Sequence, residues 1–126
     1  RYTNADFDGE TSIVVLDTIG MLSELYRYAD FSLIGGGFHG ALHNIIEPAV
    51  WGSHISFGPN YHKFPEAYDA IDHGFGFALT NENQWIEIIH NLLKEDHKLQ
   101  EIKKLSSDYV ITQQKATQKI AGYILN

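Results

Sequence analysis

Few folds accommodate the run from Phe31 to His43. A short apolar stretch, Phe31-Ser32-Leu33-Ile34, breaks abruptly into Gly35-Gly36-Gly37-Phe38-His39-Gly40-Ala41-Leu42-His43. The first part has the length and apolar density of a buried strand. The second is too rich in glycine to be anything but a loop, because residues without a Cβ adopt left-handed backbone and let other atoms come close. A strand that ends in such a loop and leads into a helix, which restarts near Asn44, is half of a βαβ unit.

The rest of the chain repeats that alternation. Ser12 to Asp17 reads as a strand buried on both faces, preceded by the polar stretch Asn4 to Glu10. From Met21 the apolar positions Leu22, Leu25, Tyr26 and Ala29 follow the stripe of a helix resting one face on a sheet. His54 to Phe57 is a third strand, closed by Gly58-Pro59-Asn60. A helix over Lys63 to Ile71 and a strand over Phe75 to Thr80 follow. After Asn83 the pattern is helical to the end. Trp85, Ile86, Ile89, Leu92 and Leu93 mark one helix, Leu99, Ile102, Leu105 and Tyr109 a second, and Lys115 to Leu125 a last one. Strands alternating with helices of this length predict an α/β fold: a Rossmann-like parallel sheet with flanking helices on both faces. Residues 1–126 form one domain on this reading, with no linker or repeat. Ligands of such sheets sit beyond the carboxyl ends of the strands.

Composition narrows the partners. Nine Lys and Arg against sixteen Asp and Glu give a net charge of -7, which argues against a nucleic-acid partner, since a phosphate backbone needs a basic stripe. With no cysteine there is no disulfide framework, thiolate nucleophile or sulfur-ligated zinc, and the chain suits a reducing compartment such as the cytoplasm. No apolar run reaches the roughly 18 residues of a membrane span, and the start Arg1-Tyr2-Thr3-Asn4 is no signal peptide, so the chain by itself is expected to be soluble. Asp6-Phe7-Asp8-Gly9-Glu10 clusters oxygens but lacks the further ligands of a calcium loop, and reads as a solvated acidic turn. His39 and His43 are four apart, but in a loop rather than on a helix, so no metal site is expected.

Three strand ends carry the candidate binding chemistry. Gly35, Gly37 and Gly40 satisfy G-x-G-x-x-G after a strand, the pattern of a dinucleotide site. That site also needs an acidic residue closing the next strand, which ends Phe57-Gly58-Pro59-Asn60 instead. Asn44-Ile45-Ile46-Glu47-Pro48 supports two readings. One is a helix cap in which Asn44 accepts from an N3 amide while Glu47 reaches back to the Asn44 amide. The other is a nucleotide pocket, in which the helix start attracts a phosphate and the carboxylate accepts from both hydroxyls of a ribose. Asp17-Thr18-Ile19-Gly20 closes the preceding strand on the same sheet edge.

The order Asp17-Thr18-Ile19-Gly20, Leu25-Tyr26, Ala29-Asp30, Gly35-Gly36-Gly37, His43-Asn44-Ile45-Ile46-Glu47-Pro48-Ala49, Gly58-Pro59-Asn60 and Phe64 resembles the C-terminal domain of bacterial 3-deoxy-D-manno-octulosonic acid (Kdo) transferases. The chain departs from that pattern at Met21, where the family commonly has Glu, and at Ala41-Leu42, where it has Gly-Gly. The resemblance implies the C-terminal half of a GT-B glycosyltransferase that moves Kdo from CMP-Kdo to a lipid A precursor, in lipopolysaccharide synthesis at the cytoplasmic face of the inner membrane. It implies a metal-independent, inverting transfer without cofactor. CMP-Kdo would be held at Ile19, Gly20 and Met21, along Gly35, Gly36 and Gly37, and at His43, Asn44, Ile45, Ile46 and Glu47. It implies no catalytic residue in this chain, because the general base belongs to an N-terminal acceptor domain of a membrane-associated parent protein; the chain alone is expected to be inactive. The alternatives are another GT-B donor domain taking a nucleoside diphosphate sugar, a dinucleotide-binding oxidoreductase domain, and a non-catalytic interaction domain.

Overall fold

The computed structural model describes residues 13–16 and 20–125. Among them the sheet has three strands, β1 (Phe31–Ile34), β2 (His54–Phe57) and β3 (Gly76–Ala78), all parallel and in the order β1-β2-β3. Phe31 lies opposite His54 and Ile34 opposite Phe57, while Ile55 lies opposite Gly76. The helices are α1 (Leu22–Leu25), continued by a single 3-10 turn over Tyr26–Tyr28, then α2 (Ile46–Val50), α3 (Pro65–Asp72), α4 (Glu82–Lys94) and α5 (Asp96–Leu125). This is the expected α/β architecture, with each sheet connection passing through a helix.

The core forms where the middle strand meets the helices. Ile55, Phe57, Ala67, Ala70 and Phe75 are all 0% exposed. Gly76 shows how closely α3 lies on β3: a Cβ there would stand 2.5 Å from Ala70 Cβ. Side-chain hydrogen bonds fasten α5 over the same helices. Ser106 Oγ donates to the Ala49 carbonyl (3.2 Å) at α2, and Tyr109 Oη donates to Asp69 Oδ2 (2.7 Å) on α3. Burial, reinforced by the Asp69 charge, pushes the Tyr109 phenol up to about 12. On the other face, Phe77 shares a hollow with Ile88 and Leu92 of α4. The start of α4 is capped from both sides. Asn81 Oδ1 accepts from the Gln84 amide (3.1 Å), and Gln84 Oε1 accepts from the Thr80 amide (2.8 Å).

Two elements depart from the sequence expectation. The strand predicted over Ser12 to Asp17 is not formed in residues 13–16, which have no regular structure. Ile13, Val14 and Val15 are 81%, 45% and 57% exposed. An apolar run becomes a strand only when a neighbour takes its N–H and C=O groups, and no described strand does so here. Ser12 and Asp17 themselves lie outside the described residues, as do the acidic turn Asp6 to Glu10 and the turn residues Thr18 and Ile19. The two helices expected after Lys94 are instead the single 30-residue α5, roughly 45 Å long at 1.5 Å per residue. No Gly or Pro interrupts it before Gly122, so nothing in the sequence stops it. Residues 111–120 of this helix are exposed throughout.

Candidate functional site

A cleft of about 500 Å³ runs along the outer edge of β1. One wall is α1 with the following turn, through Leu22, Leu25, Tyr26 and Ala29. The floor is Phe31 to Ile34, and the far rim is Gly35, His43, Asn44 and Glu47. The cleft thus runs beside β1 as well as to its carboxyl end. The walls are tied to one another. Trp51 Nε1 donates to the Ser23 carbonyl (3.0 Å), and the Arg27 guanidinium lies 4.9 Å from the Trp51 ring centroid. Behind them Lys103 pairs with Asp30.

Asn44 organises the polar rim. Its Oδ1 accepts from the Ile46 amide (2.9 Å), and its Nδ2 donates to Glu47 Oε1 (3.2 Å). The cap reading is met in altered form. The N-cap residue of α2 is Ile45, which has no side-chain cap; Asn44 instead accepts from the amide two residues on rather than from N3, and Glu47 is held by the Asn44 side chain rather than by its backbone. The carboxylate stays exposed at the cleft rim. One consequence corrects the expected phosphate cradle: the Ile46 amide already serves Asn44, so it is not an open donor for a phosphate. Ile45 is 1% exposed and packs into the core, leaving only its backbone near the rim.

The glycine loop is built differently from the simple expectation of bare backbone facing a ligand. Gly36 has φ +87, and a Cβ there would lie 1.9 Å from the Ala41 carbonyl oxygen. Gly37 is buried against the turn after β2, where a Cβ would stand 2.8 Å from the Gly58 nitrogen. The Asn60 amide donates to the Gly37 carbonyl (2.8 Å), and Asn60 Nδ2 donates to the Phe38 carbonyl (3.1 Å). These glycines let two strand-end turns lock together. Of the three, Gly35 lines the cleft and Gly36 and Gly37 do not. Gly20 (φ +94) and Met21 stand immediately before α1, which forms the opposite wall, while Ile19 lies outside the described residues.

Tyr26 was legible in the sequence as part of an apolar stripe and of the family pattern, but not as a site residue. Its phenol is raised above the ordinary value, first by burial and then by the negative charge of Glu47, and both residues line the cleft. The signal in the sequence was a residue with a hydroxyl on a stripe otherwise aliphatic.

No protein-family model matches the chain. Among curated proteins it is similar to the 3-deoxy-D-manno-octulosonic acid transferase of Aquifex aeolicus, with 31% identity over 96 residues that cover 73% of this chain and 27% of that protein. The enzyme of the same name from Chlamydophila psittaci is 39% identical over 73 residues, covering 56% of this chain and 17% of the relative. Among solved structures it is similar to the C-terminal CMP-Kdo binding domain of WaaA from Acinetobacter baumannii, with a TM-score of 0.67 and 25% identity, covering 76% of this chain and 51% of that one. The chain belongs with the Kdo transferases, as their C-terminal domain. It spans about a quarter of the length of the Aquifex Kdo transferase. The α/β architecture is thus that of a Kdo transferase C-terminal domain. No helix among the described residues is long and apolar enough to cross a membrane.

Proposed function

We propose that this chain is the donor-binding part of a Kdo transferase and takes CMP-Kdo in the cleft beside β1. The observation that carries the reading is the Asn44–Glu47 pair, which presents an oriented carboxylate at the rim of a cleft on the ligand side of the sheet. A carboxylate held this way accepts from a sugar diol, and such charge-assisted bonds are the strong ones. Leu22, Leu25 and Tyr26 offer an apolar wall for a base, and the solved relative binds CMP-Kdo in its corresponding domain. The dinucleotide alternative is disfavoured by the same geometry. Gly37 is used up in packing against Gly58, and no carboxylate closes β2.

Replacing Glu47 with Gln keeps the shape of the rim and removes the charge. CMP affinity, measured by calorimetry on the purified chain, is expected to fall roughly 10-fold or more, the loss of a hydrogen bond to a charged group. Unchanged CMP binding by Glu47→Gln would count against the assignment, and stronger binding of a nucleoside diphosphate sugar than of CMP-Kdo would move it to another donor class.

The acceptor, a lipid A precursor, and the general base belong in this reading to an N-terminal domain, and the parent protein works at the cytoplasmic face of the inner membrane. Deprotonating a sugar hydroxyl at neutral pH needs such a base. The chain contributes donor positioning without a metal or cofactor and without a catalytic residue of its own. Incubated with CMP-Kdo and acceptor it is expected to give no transfer product; product formed by the purified chain would refute this division of labour.

A further inference from the structure

The glycine loop has a second hollow on its other flank. It measures about 360 Å³ and is lined by Gly40, Ala41, Asn60, His62, Lys63 and Phe64. Its chemistry is the complement of the cleft's. The cleft rim is acidic, through Glu47, whereas this hollow presents a lysine and a histidine in a chain of net charge -7. Lys63 makes no ion pair among the described residues, although Glu66 follows three residues on. Lys63 is a cation left open beside the ligand edge. His62 is oriented by Tyr68, whose hydroxyl meets His62 Nδ1 at 2.8 Å; with the hydroxyl as donor, Nε2 carries the ring proton and can donate elsewhere.

The two hollows are close enough for one ligand. Ala41 lines the hollow and His43 lines the cleft, and two residues of chain span at most ~7 Å. A nucleotide linked to a sugar acid needs opposite chemistries at its two ends: a hydrogen-bond acceptor for the diol and a cation for the carboxylate. A neutral sugar would have no use for the second.

We propose that this hollow is the subsite for the carboxylate of the donor's sugar acid, with Lys63 as its counter-ion, His62 Nε2 as a further donor and Phe64 as the apolar wall. The proposal rests on the donor reading above and adds what that reading leaves open, namely how the chain selects an acidic sugar.

The test compares CMP with CMP-Kdo by calorimetry on the wild-type chain, Lys63→Met and Lys63→Arg. Lys63 is exposed, so equal melting temperatures verify that each variant is folded. The expected result is that Lys63→Met weakens CMP-Kdo roughly 10-fold and leaves CMP unchanged, with Lys63→Arg retaining most of the affinity. An equal loss for both compounds would put Lys63 on the phosphate and overturn the carboxylate assignment, as would no loss for either. If the wild-type chain binds neither compound, the donor reading itself fails and the subsite falls with it, whereas wild-type binding with an indifferent Lys63 sinks the subsite alone.

Discussion

Replacing Gly36 with alanine should destabilise the chain by about 3 kcal/mol or more, with weaker nucleotide binding as a second effect. Two costs combine. A residue with a Cβ at φ +87 is strained by about 1 kcal/mol or more. In addition the Cβ would sit 1.9 Å from the Ala41 carbonyl oxygen and 2.8 Å from its carbon, which are backbone atoms that cannot rotate away. The loop must open for the methyl group to fit, and overpacking of this kind costs a further 1–3 kcal/mol as an order of magnitude, about as much as the strain or more. The His43 ring, 3.1 Å from the same position, would move with it, and His43 is part of the cleft rim. Gly20 provides the control. Its φ is similar at +94 but nothing among the described residues lies within 4 Å of an added Cβ, so Gly20→Ala should cost only about 1 kcal/mol. Urea denaturation of the two variants separates strain from clash. Equal losses would show that the Gly36–Ala41 contact relaxes freely, and that the loop is not the rigid connection described above.

Much of this architecture was legible in the sequence, and for a physical reason. The strand His54–Phe57 has the bounds the sequence predicts, because it is buried between two neighbours and its apolar run ends at Gly58-Pro59. Helix α3 begins at Pro65, two residues later than expected, where proline's missing N–H is no loss. What failed depends on partners. Residues 13–16 have the composition of a strand and none of its contacts, and composition cannot supply a neighbour. At the site, Asn44 and Glu47 were legible because a helix cap and an oriented carboxylate demand the same residue types at the same spacing. The cost of that overlap was also hidden there: the Ile46 amide cannot serve both Asn44 and a phosphate. Nor does the sequence alone show that Gly37 packs against Gly58, since the two lie on different strand ends and meet only through the parallel register of β1 and β2.

Acid should weaken this fold well before its carboxylates are all protonated, and His54 is the reason. The residue is 0% exposed at the start of β2, with its ring stacked on Phe77 at 4.4 Å and tilted against Phe31 at 5.7 Å. Nδ1 has only a long contact of 3.5 Å with Ser56 Oγ, and Nε2 has no hydrogen-bond partner among the described residues. Burial therefore disfavours the imidazolium and lowers its pKa from 6.5 to about 4. Above pH 6.5 the ring is neutral folded or unfolded, and the full stability is present. As pH falls from 6.5 the unfolded chain takes up a proton that the folded chain refuses, so stability declines until the folded ring titrates near 4. The whole loss is about 3 kcal/mol, at 1.36 kcal/mol for each pH unit. The other contacts of the fold, such as Asp69 with Tyr109 and Asp30 with Lys103, are common to both proteins, so the informative quantity is the difference from His54→Phe. Phenylalanine keeps the stack and removes the unpartnered nitrogen. At pH 8 it should be neutral or stabilising by about 1 kcal/mol, and the gap over wild type should widen steadily down to pH 4. Parallel stability curves for the two proteins from pH 8 to pH 4 would mean that His54 is hydrated or hydrogen-bonded when folded, and that the stacked, dry centre of the sheet is wrong.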